Sequence, residues 1–561
     1  MESDQRRKRK RAVKQHFSMR SSTVFLSFFV FLLFVSSDRS FIPSGSFRPV
    51  LKVPTLPLFP SRLIRDHVDT TVPLPVIEGR VLFPDHLLLI LAGGVHPSES
   101  LLCVYYGVAE KAISVDDYQE GKSIVRCPRY SAVAGLRRAG EAVDGGGGVG
   151  SNRTEAEEEV PSWEGLVYDA VVDRNTAVVF VKGLNLRPHR ASDPRHYRCH
   201  FGLSRGFVFT TKAITAAQEV IRCLLPRSIK NNPDKVQGIR VTISRVDAGE
   251  EGRKKLMPSV AKLYGAKSYP RSGRKKYGLC ACTMLWNQAS FLREWITYHS
   301  WLGVDRWFIY DNNSDDGLQE VIDELNLEDY NISRHVWPWI KAQEAGFSHC
   351  ALRARRECEW LGFFDVDEFF YFPSRKGQAL PGQNSLKELV ANYTNSPTFA
   401  EIRTICHSYG PSGLTAAPPQ GVMVGYTCRL QAPERHKSIV RPDLLDITLL
   451  NVVHHFRLRD GYRYLNVPES TALVNHYKYQ VWDTFKAKFY RRVSTYVTNW
   501  QEDQNQGSKD RAPGLGTEAV EPPDWRLRFC EVWDTGLRDF VLANFADPVT
   551  GGYPWERSSS K

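Results

Sequence analysis

Residues 361–370 read L-G-F-F-D-V-D-E-F-F. The bulky apolar run predicts a buried strand, and at its end Asp365 and Asp367 stand one residue apart with Glu368 following. Alternation along a strand puts Asp365 and Asp367 on one side. Two carboxylates at a buried strand end repel each other and are costly to desolvate unless they share a cation. Hard oxygen ligands suit Mg²⁺ or Mn²⁺, which bind one or two carboxylates together with the phosphates of a substrate. The stretch therefore predicts an enzyme that handles a nucleoside diphosphate, in preference to a plain solvated strand end.

The flanking sequence supplies the rest of a sheet. G-L-C-A-C-T-M-L-W-N (278–287) is a short apolar strand with Asn287 opening the loop after it. Leu292, Trp295, Ile296 and His299 recur at helical spacing up to Gly303, a C-cap residue. Residues 305–310 form the next strand and run into D-N-N-S-D-D (311–316), followed by a helix over 317–326 and a strand over 333–338. Alternating strands and helices predict an α/β fold with a mostly parallel sheet covered on both faces. Ligands of such sheets bind beyond the carboxyl ends of the strands. Asn287, Asp311 and Asp365 each follow an apolar strand, so three strands are expected to deliver polar groups to one rim.

Upstream, residues 76–260 read as strands rich in Val and aromatics, such as A-V-V-F-V-K-G-L (177–184), and predict a small β-rich, sandwich-like domain. Tyr105, Tyr106 and Trp163 are its candidates for stacking on sugar rings, with core packing as the alternative for each. A-G-E-A-V-D-G-G-G-G-V-G (139–150) interrupts it as a loop. Pro-rich residues 38–75 read as a stem.

The chain has 561 residues and a formal net charge of +12, of which residues 1–20 carry half through eight Lys or Arg against two acids. The remaining residues are thus nearly balanced, and nucleic-acid binding by the folded part is not implied. Residues 21–37 carry no charge and as a helix span about 26 Å at ~1.5 Å per residue. Positive charge before this run favours a type II anchor in a thin membrane over a cleaved signal peptide, with the bulk of the chain in the lumen. All eleven cysteines follow the anchor, and their odd number leaves at least one unpaired within the chain. The C-x-C at Cys280 and Cys282 alternates like strand positions, which argues against zinc. The sequons at Asn152, Asn331 and Asn392 fit a lumenal chain.

The long blocks C-T-M-L-W-N-Q-A-S-F-L-R-E-W-I-T-Y-H-S-W-L-G-V-D-R-W-F-I-Y-D-N-N-S-D-D, Q-E-A-G-F-S-H-C-A-L-R-A-R-R-E-C-E-W-L-G-F-F-D-V-D-E-F-F, P-E-R-H-K-S-I-V-R-P and V-V-H-H-F resemble glycosyltransferase family 92, and within it the plant β-1,4-galactan synthases. The resemblance covers residues from about 277 to the C-terminus. It implies a GT-A nucleotide-sugar transferase domain and inverting transfer of galactose from UDP-galactose to a β-1,4-galactan acceptor in the Golgi. The upstream β-rich domain is similar in position to a carbohydrate-binding module. Asp365 and Asp367 match the D-x-D that holds Mn²⁺ on the diphosphate, and Asp311 and Asn312 match the strand end where the nucleoside is held, so a glycan on Asn312 is not expected. Asn287 lines the first loop. GT-A enzymes often add a late His ligand, for which His454 is favoured over His455 and His476. Lys437 and Arg441 are expected to face the diphosphate. The acceptor needs a general base, with Glu434 as the leading assignment and Asp443 and Asp524 as the others.

Residues 477–497 place Val481, Phe485, Phe489 and Val493 at helical spacing. The irregular arm after them (510–525) is expected to cross the catalytic domain or a partner subunit of a homodimer. A transferase of the same family with another sugar donor or acceptor is the nearest alternative function. A non-catalytic glycan-binding protein is a second, and the intact D-V-D argues against it. A nuclear basic protein rests on residues 6–11 alone.

Overall fold

The structure, a computed structural model, describes residues 74–556 apart from 98, 106–107, 120, 130–134, 139–159, 185, 204–205, 231–236, 247–254, 266–274, 374–381, 453–454 and 497–519. The basic tail, the anchor at 21–37, nearly all of the stem, Tyr106, the glycine-rich loop, the Asn152 sequon, His454 and most of the arm lie outside the described residues.

The α/β expectation is met by a nine-stranded sheet. Its parallel part runs Ile332–Val336, Arg306–Asp311, Tyr277–Leu285, Cys358–Phe363. Arg435–Val440 then joins antiparallel, followed by Phe399–Ser408, Leu473–His476 and the edge strand Glu368–Tyr371, while Arg463–Asn466 also pairs with Phe399–Ser408. The three inner parallel strands are largely apolar because both faces are covered, while the edge strand Ile332–Val336 carries Ser333, Arg334 and His335. Trp307 and Ile309 face the helices Ala289–Trp301 and Leu318–Leu327, while Phe308 and Tyr310 face the helix Gln343–Ala354 and the β-rich region.

That β-rich region is two units rather than one sandwich. A four-stranded sheet (Ile77–Leu82, His86–Leu91, Lys122–Pro128, Ser114–Tyr118) and a three-stranded one (Val108–Lys111, Leu101–Tyr105, Gly135–Arg138) share a small core, and Cys103–Cys127 joins them. A seven-stranded sheet spanning residues 167–264 follows, with Cys199–Cys223 within it. The strand Thr176–Val181 shows how this sheet is used. Ala177, Val179 and Val181 enter the sheet's own core, and Val178 and Phe180 pack on the transferase side. Trp163 lies in that shared interface, 3% exposed, with ring centroids 5.3 Å from both Phe83 and Trp339. Tyr105 is buried and its hydroxyl donates to the Pro128 carbonyl. Neither ring is available to stack on a sugar.

Polar groups cross the interface as well. Asp173 accepts from Arg222 at 2.6 Å and from Arg355 at 2.9 Å. Asp169 accepts from Tyr264, whose hydroxyl also meets His349, and His349 meets Tyr310. Burial holds the Asp169 carboxyl up at about 7. A carboxyl raised by folding keeps its proton in the native state after the unfolded chain has lost its own. Its contribution to stability is therefore complete below about pH 4 and is lost as pH rises through about 7. Asp169→Asn removes this loss. The melting temperature of the variant is expected to gain on the wild type between pH 5 and pH 8, and a difference that stays constant with pH would contradict the assignment.

The five disulfides among the described residues include Cys280–Cys358 and Cys282–Cys350, so the C-x-C pins its strand to a neighbouring strand and to a helix, and no metal is needed there. Cys406 is free and buried. Asn392 is exposed at a helix end, but the Asn331 side chain bonds Tyr277 and Arg306, and a glycan on Asn331 would have to break both bonds.

Candidate active site

The parallel strands end together, and the antiparallel additions bring their own ends to the same rim. Asp365 and Asp367 do not lie on a strand. They occupy the turn between Cys358–Phe363 and Glu368–Tyr371, closed by Glu368 N–H donating to the Asp365 carbonyl at 3.1 Å. Phe364 and Val366 are both 1% exposed and point into the core, which turns the intervening carboxylates to the rim. The Glu368 carboxylate accepts from the Asp365 N–H at 2.9 Å, so the third acid builds the turn that presents the first two.

Glu368–Tyr371 is an edge strand, and an edge leaves backbone groups to satisfy. The helix Ala289–Trp301 satisfies them with one stripe of side chains. Trp295 Nε1 donates to the Glu368 carbonyl, Tyr298 donates to the Phe370 carbonyl, and His299 Nε2 accepts from the Phe370 N–H. His299 is held neutral by burial, at about 3. The helical repeat legible in W-I-T-Y-H thus anchors the acidic turn.

Carboxylate oxygens of Asp365, Asp367 and Glu368 lie within 4.8 Å of one another. His476, at the end of the paired strand and opposite Glu368, reaches Asp367 Oδ2 at 3.4 Å and Glu368 Oε1 at 3.6 Å. Lys437 Nζ stands 2.7 Å from Glu368 Oε1 and 3.3 Å from Asp365 Oδ2, and Lys488 meets Asp367. Burial opposes ionisation of Asp367, but Lys488 and His476 outweigh it and hold the carboxyl below the ordinary range. Burial holds Glu368 above its ordinary range against the pull of Lys437, with the Asp365 and Asp367 charges acting in the same sense. Burial also lowers His476 to about 4, leaving a neutral imidazole with a lone pair to give. Three carboxylates and a neutral imidazole form a donor set that fits Mn²⁺ or Mg²⁺.

The other expected residues divide. Glu434 stands at the same rim, where its carboxylate bonds Ser408 and Lys478 Nζ, the latter at 3.0 Å. Burial opposes its ionisation, yet these two partners hold it below the ordinary carboxylate range. Asn287, at φ +50°, is spent on the loop: its amide donates to Asp315 and its carbonyl oxygen accepts from the Asp315 N–H. Asp311 is fully buried and saturated by Arg334, at 2.6 and 2.8 Å, and by the Ser314 N–H. Arg334 in turn reaches Asp116 of the β-rich region at 3.1 Å. Asn312 turns inward to the Trp337 carbonyl. Asp311 and Asn312 shape the loop through these side-chain bonds.

Arg441 and Asp443 are corrected outright. Their strand runs antiparallel to Cys358–Phe363, with Val440 opposite Leu361 and Ser438 opposite Phe363, so residues after 440 lie at the far end from Asp365. Arg441 sits there beside Trp360 and Glu359, and Asp443 pairs with Lys275. His455 bonds Ser438 and Glu401, on the sheet face opposite Lys437. Asp524 is exposed on the arm beside Arg528. Sequence reasoning missed Glu368 as a turn builder and Lys488 altogether. It weighed His476 without favouring it, although L-V-N-H repeats the signal of a short apolar strand ending in a polar residue.

The sequence profile of glycosyltransferase family 92 matches residues 275–511. A family 92 protein of Ricinus communis is 69% identical over 100% of both chains, and one of Arabidopsis thaliana is 57% identical over 96% of this chain and 95% of its own. One from Oryza sativa subsp. japonica is 45% identical over 95% and 93%. The chain belongs to glycosyltransferase family 92 and is a glycosyltransferase. Among solved structures, a mannosyltransferase of Pyrobaculum calidifontis in complex with GDP-Man and Mn²⁺ overlaps 43% of this chain and 69% of its own at 12% identity with a TM-score of 0.25.

Proposed function

We propose that the protein is an inverting, metal-dependent transferase of the GT-A type that moves galactose from UDP-galactose to a β-1,4-galactan acceptor in the Golgi lumen, tethered by residues 21–37. The observation that carries the metal–diphosphate part is the convergence of Asp365, Asp367, Glu368 and His476 at one rim. Those four residues hold the cation in this reading, and a bound cation stabilises the charge that grows on the departing nucleotide. Lys437 is buried and fixed between Asp365 and Glu368, and it lends the same corner a positive potential. Glu434 is held ionised by Ser408 and Lys478, and in this reading it takes the proton of the acceptor hydroxyl. The choice of galactose and galactan rests on the sequence blocks that resemble the galactan synthases, because side chains in the pocket, not the fold, set sugar choice.

The test incubates residues 76–561 with Mn²⁺, a panel of UDP-sugars and β-1,4-galactooligosaccharides. Extension by UDP-galactose alone, lost in Asp365→Ala, supports the reading. Extension by another sugar keeps the centre and replaces the donor. No transfer or hydrolysis of any donor overturns it in favour of a glycan-binding role. Imaging of a C-terminally tagged full chain tests the Golgi assignment.

A further inference from the structure

Two ammonium groups touch the carboxylates of the acidic turn, Lys437 and Lys488, and the two lysines are held differently. Lys437 stands on a central strand with its side chain 7% exposed. Lys488 is carried by the helix Trp482–Tyr496, with its side chain 21% exposed. Phe485 and Phe489 of that helix join neither core of the main sheet. They pack with Tyr479 and Trp525 in a small aromatic cluster of their own, to which Phe529 adds. The neighbouring Cys530 is tied to Cys428.

The Lys488 ammonium rests on Asp367 Oδ2, an oxygen of the proposed cation site. A divalent cation and an ammonium on one carboxylate repel across a few ångströms at low dielectric. A diphosphate brought in with the cation offers two new negative charges at the same place. The charges balance if the cation takes Asp367 and the ammonium turns to the diphosphate. Lys437 has no such freedom, because Glu368 and Asp365 hold it from both sides.

We propose that Lys488 is a donor-binding residue that exchanges with the cation: it holds Asp367 until metal and nucleoside diphosphate arrive together, then moves to the diphosphate. This rests on the metal centre proposed above. The Lys488 helix, packed as a satellite, is the element that adjusts.

Two probes separate the roles in the full-length protein: Mn²⁺ alone, followed by electron paramagnetic resonance, and UDP or GDP with saturating Mn²⁺, followed by calorimetry. In Lys488→Met, removal of the competing ammonium tightens Mn²⁺ alone by about 3- to 10-fold. The same variant binds the preferred nucleoside diphosphate about 10- to 100-fold more weakly, the effect of one charge-assisted hydrogen bond. Lys488→Arg restores most of the nucleotide affinity. Unchanged nucleotide affinity in Lys488→Met overturns the proposal. So does a joint loss of Mn²⁺ and nucleotide binding, which is what a disordered helix produces. Asp365→Asn is measured beside it. If Asp365→Asn binds Mn²⁺ like the wild type, the metal centre itself is wrong, whatever Lys488 does.

Discussion

Asp365→Asn is expected to lower sugar transfer by roughly a thousandfold while leaving the fold intact, with weaker Mn²⁺ binding read directly by electron paramagnetic resonance. The substitution keeps shape and removes one of the three charges that make the rim a cation site. Asp365 is a third exposed, and its partner Lys437 keeps Glu368 at 2.7 Å, so no buried charge is stranded. Its backbone N–H still donates to Glu368, which preserves the turn. The melting temperature is therefore expected to stay near that of the wild type. Arg441→Ala and Asp443→Asn serve as controls from the far end of the sheet, and both should transfer at wild-type rates. A thousandfold loss in Arg441→Ala, or near-normal transfer in Asp365→Asn, would reverse the assignment of which strand ends form the site.

Trp163→Ala is expected to destabilise the whole chain by about 3–5 kcal/mol, the cost of emptying a large buried aromatic site. The effect should appear as one shifted unfolding transition and not as loss of a separable module. Trp163 packs on Phe83, Tyr168 and Trp339, so its removal opens a cavity lined by both the β-rich region and the transferase sheet. For the same reason a chain beginning at residue 275 should fail to fold. It would expose Phe308, Tyr310, Trp337 and Trp339 and leave Arg355 without Asp173. A soluble, cooperatively folding fragment from residue 275, or two independent unfolding transitions in Trp163→Ala, would show that the shared core is not essential.

Both expectations bear on what a single chain reveals. The acidic turn was legible because its physics is local: an apolar run, then carboxylates that repel unless something positive joins them. The alternation of strands and helices between 277 and 338 was legible for a similar reason, and the observed elements fall within two residues of the expected ones. Arg441 was misread because its distance along the chain from Lys437 is small, while the antiparallel run of Arg435–Val440 carries it to the other end of the sheet. Trp163 was readable as a platform or as core, and V-V-F-V (178–181), apolar at every position, was the local sign that this region is covered on both faces.

The sequence by itself determined the α/β class, the odd cysteine count, the carboxylates of the rim and the membership of family 92, because these depend on residue type and short-range periodicity. Only the tertiary structure decided which late residues join Asp365 and Asp367. His476 and Lys488 reach them from 109 and 121 positions away, by way of a strand paired with Glu368–Tyr371 and the helix that follows it. No local rule specifies such partners, since strand order and direction are settled by how the whole chain buries its apolar faces.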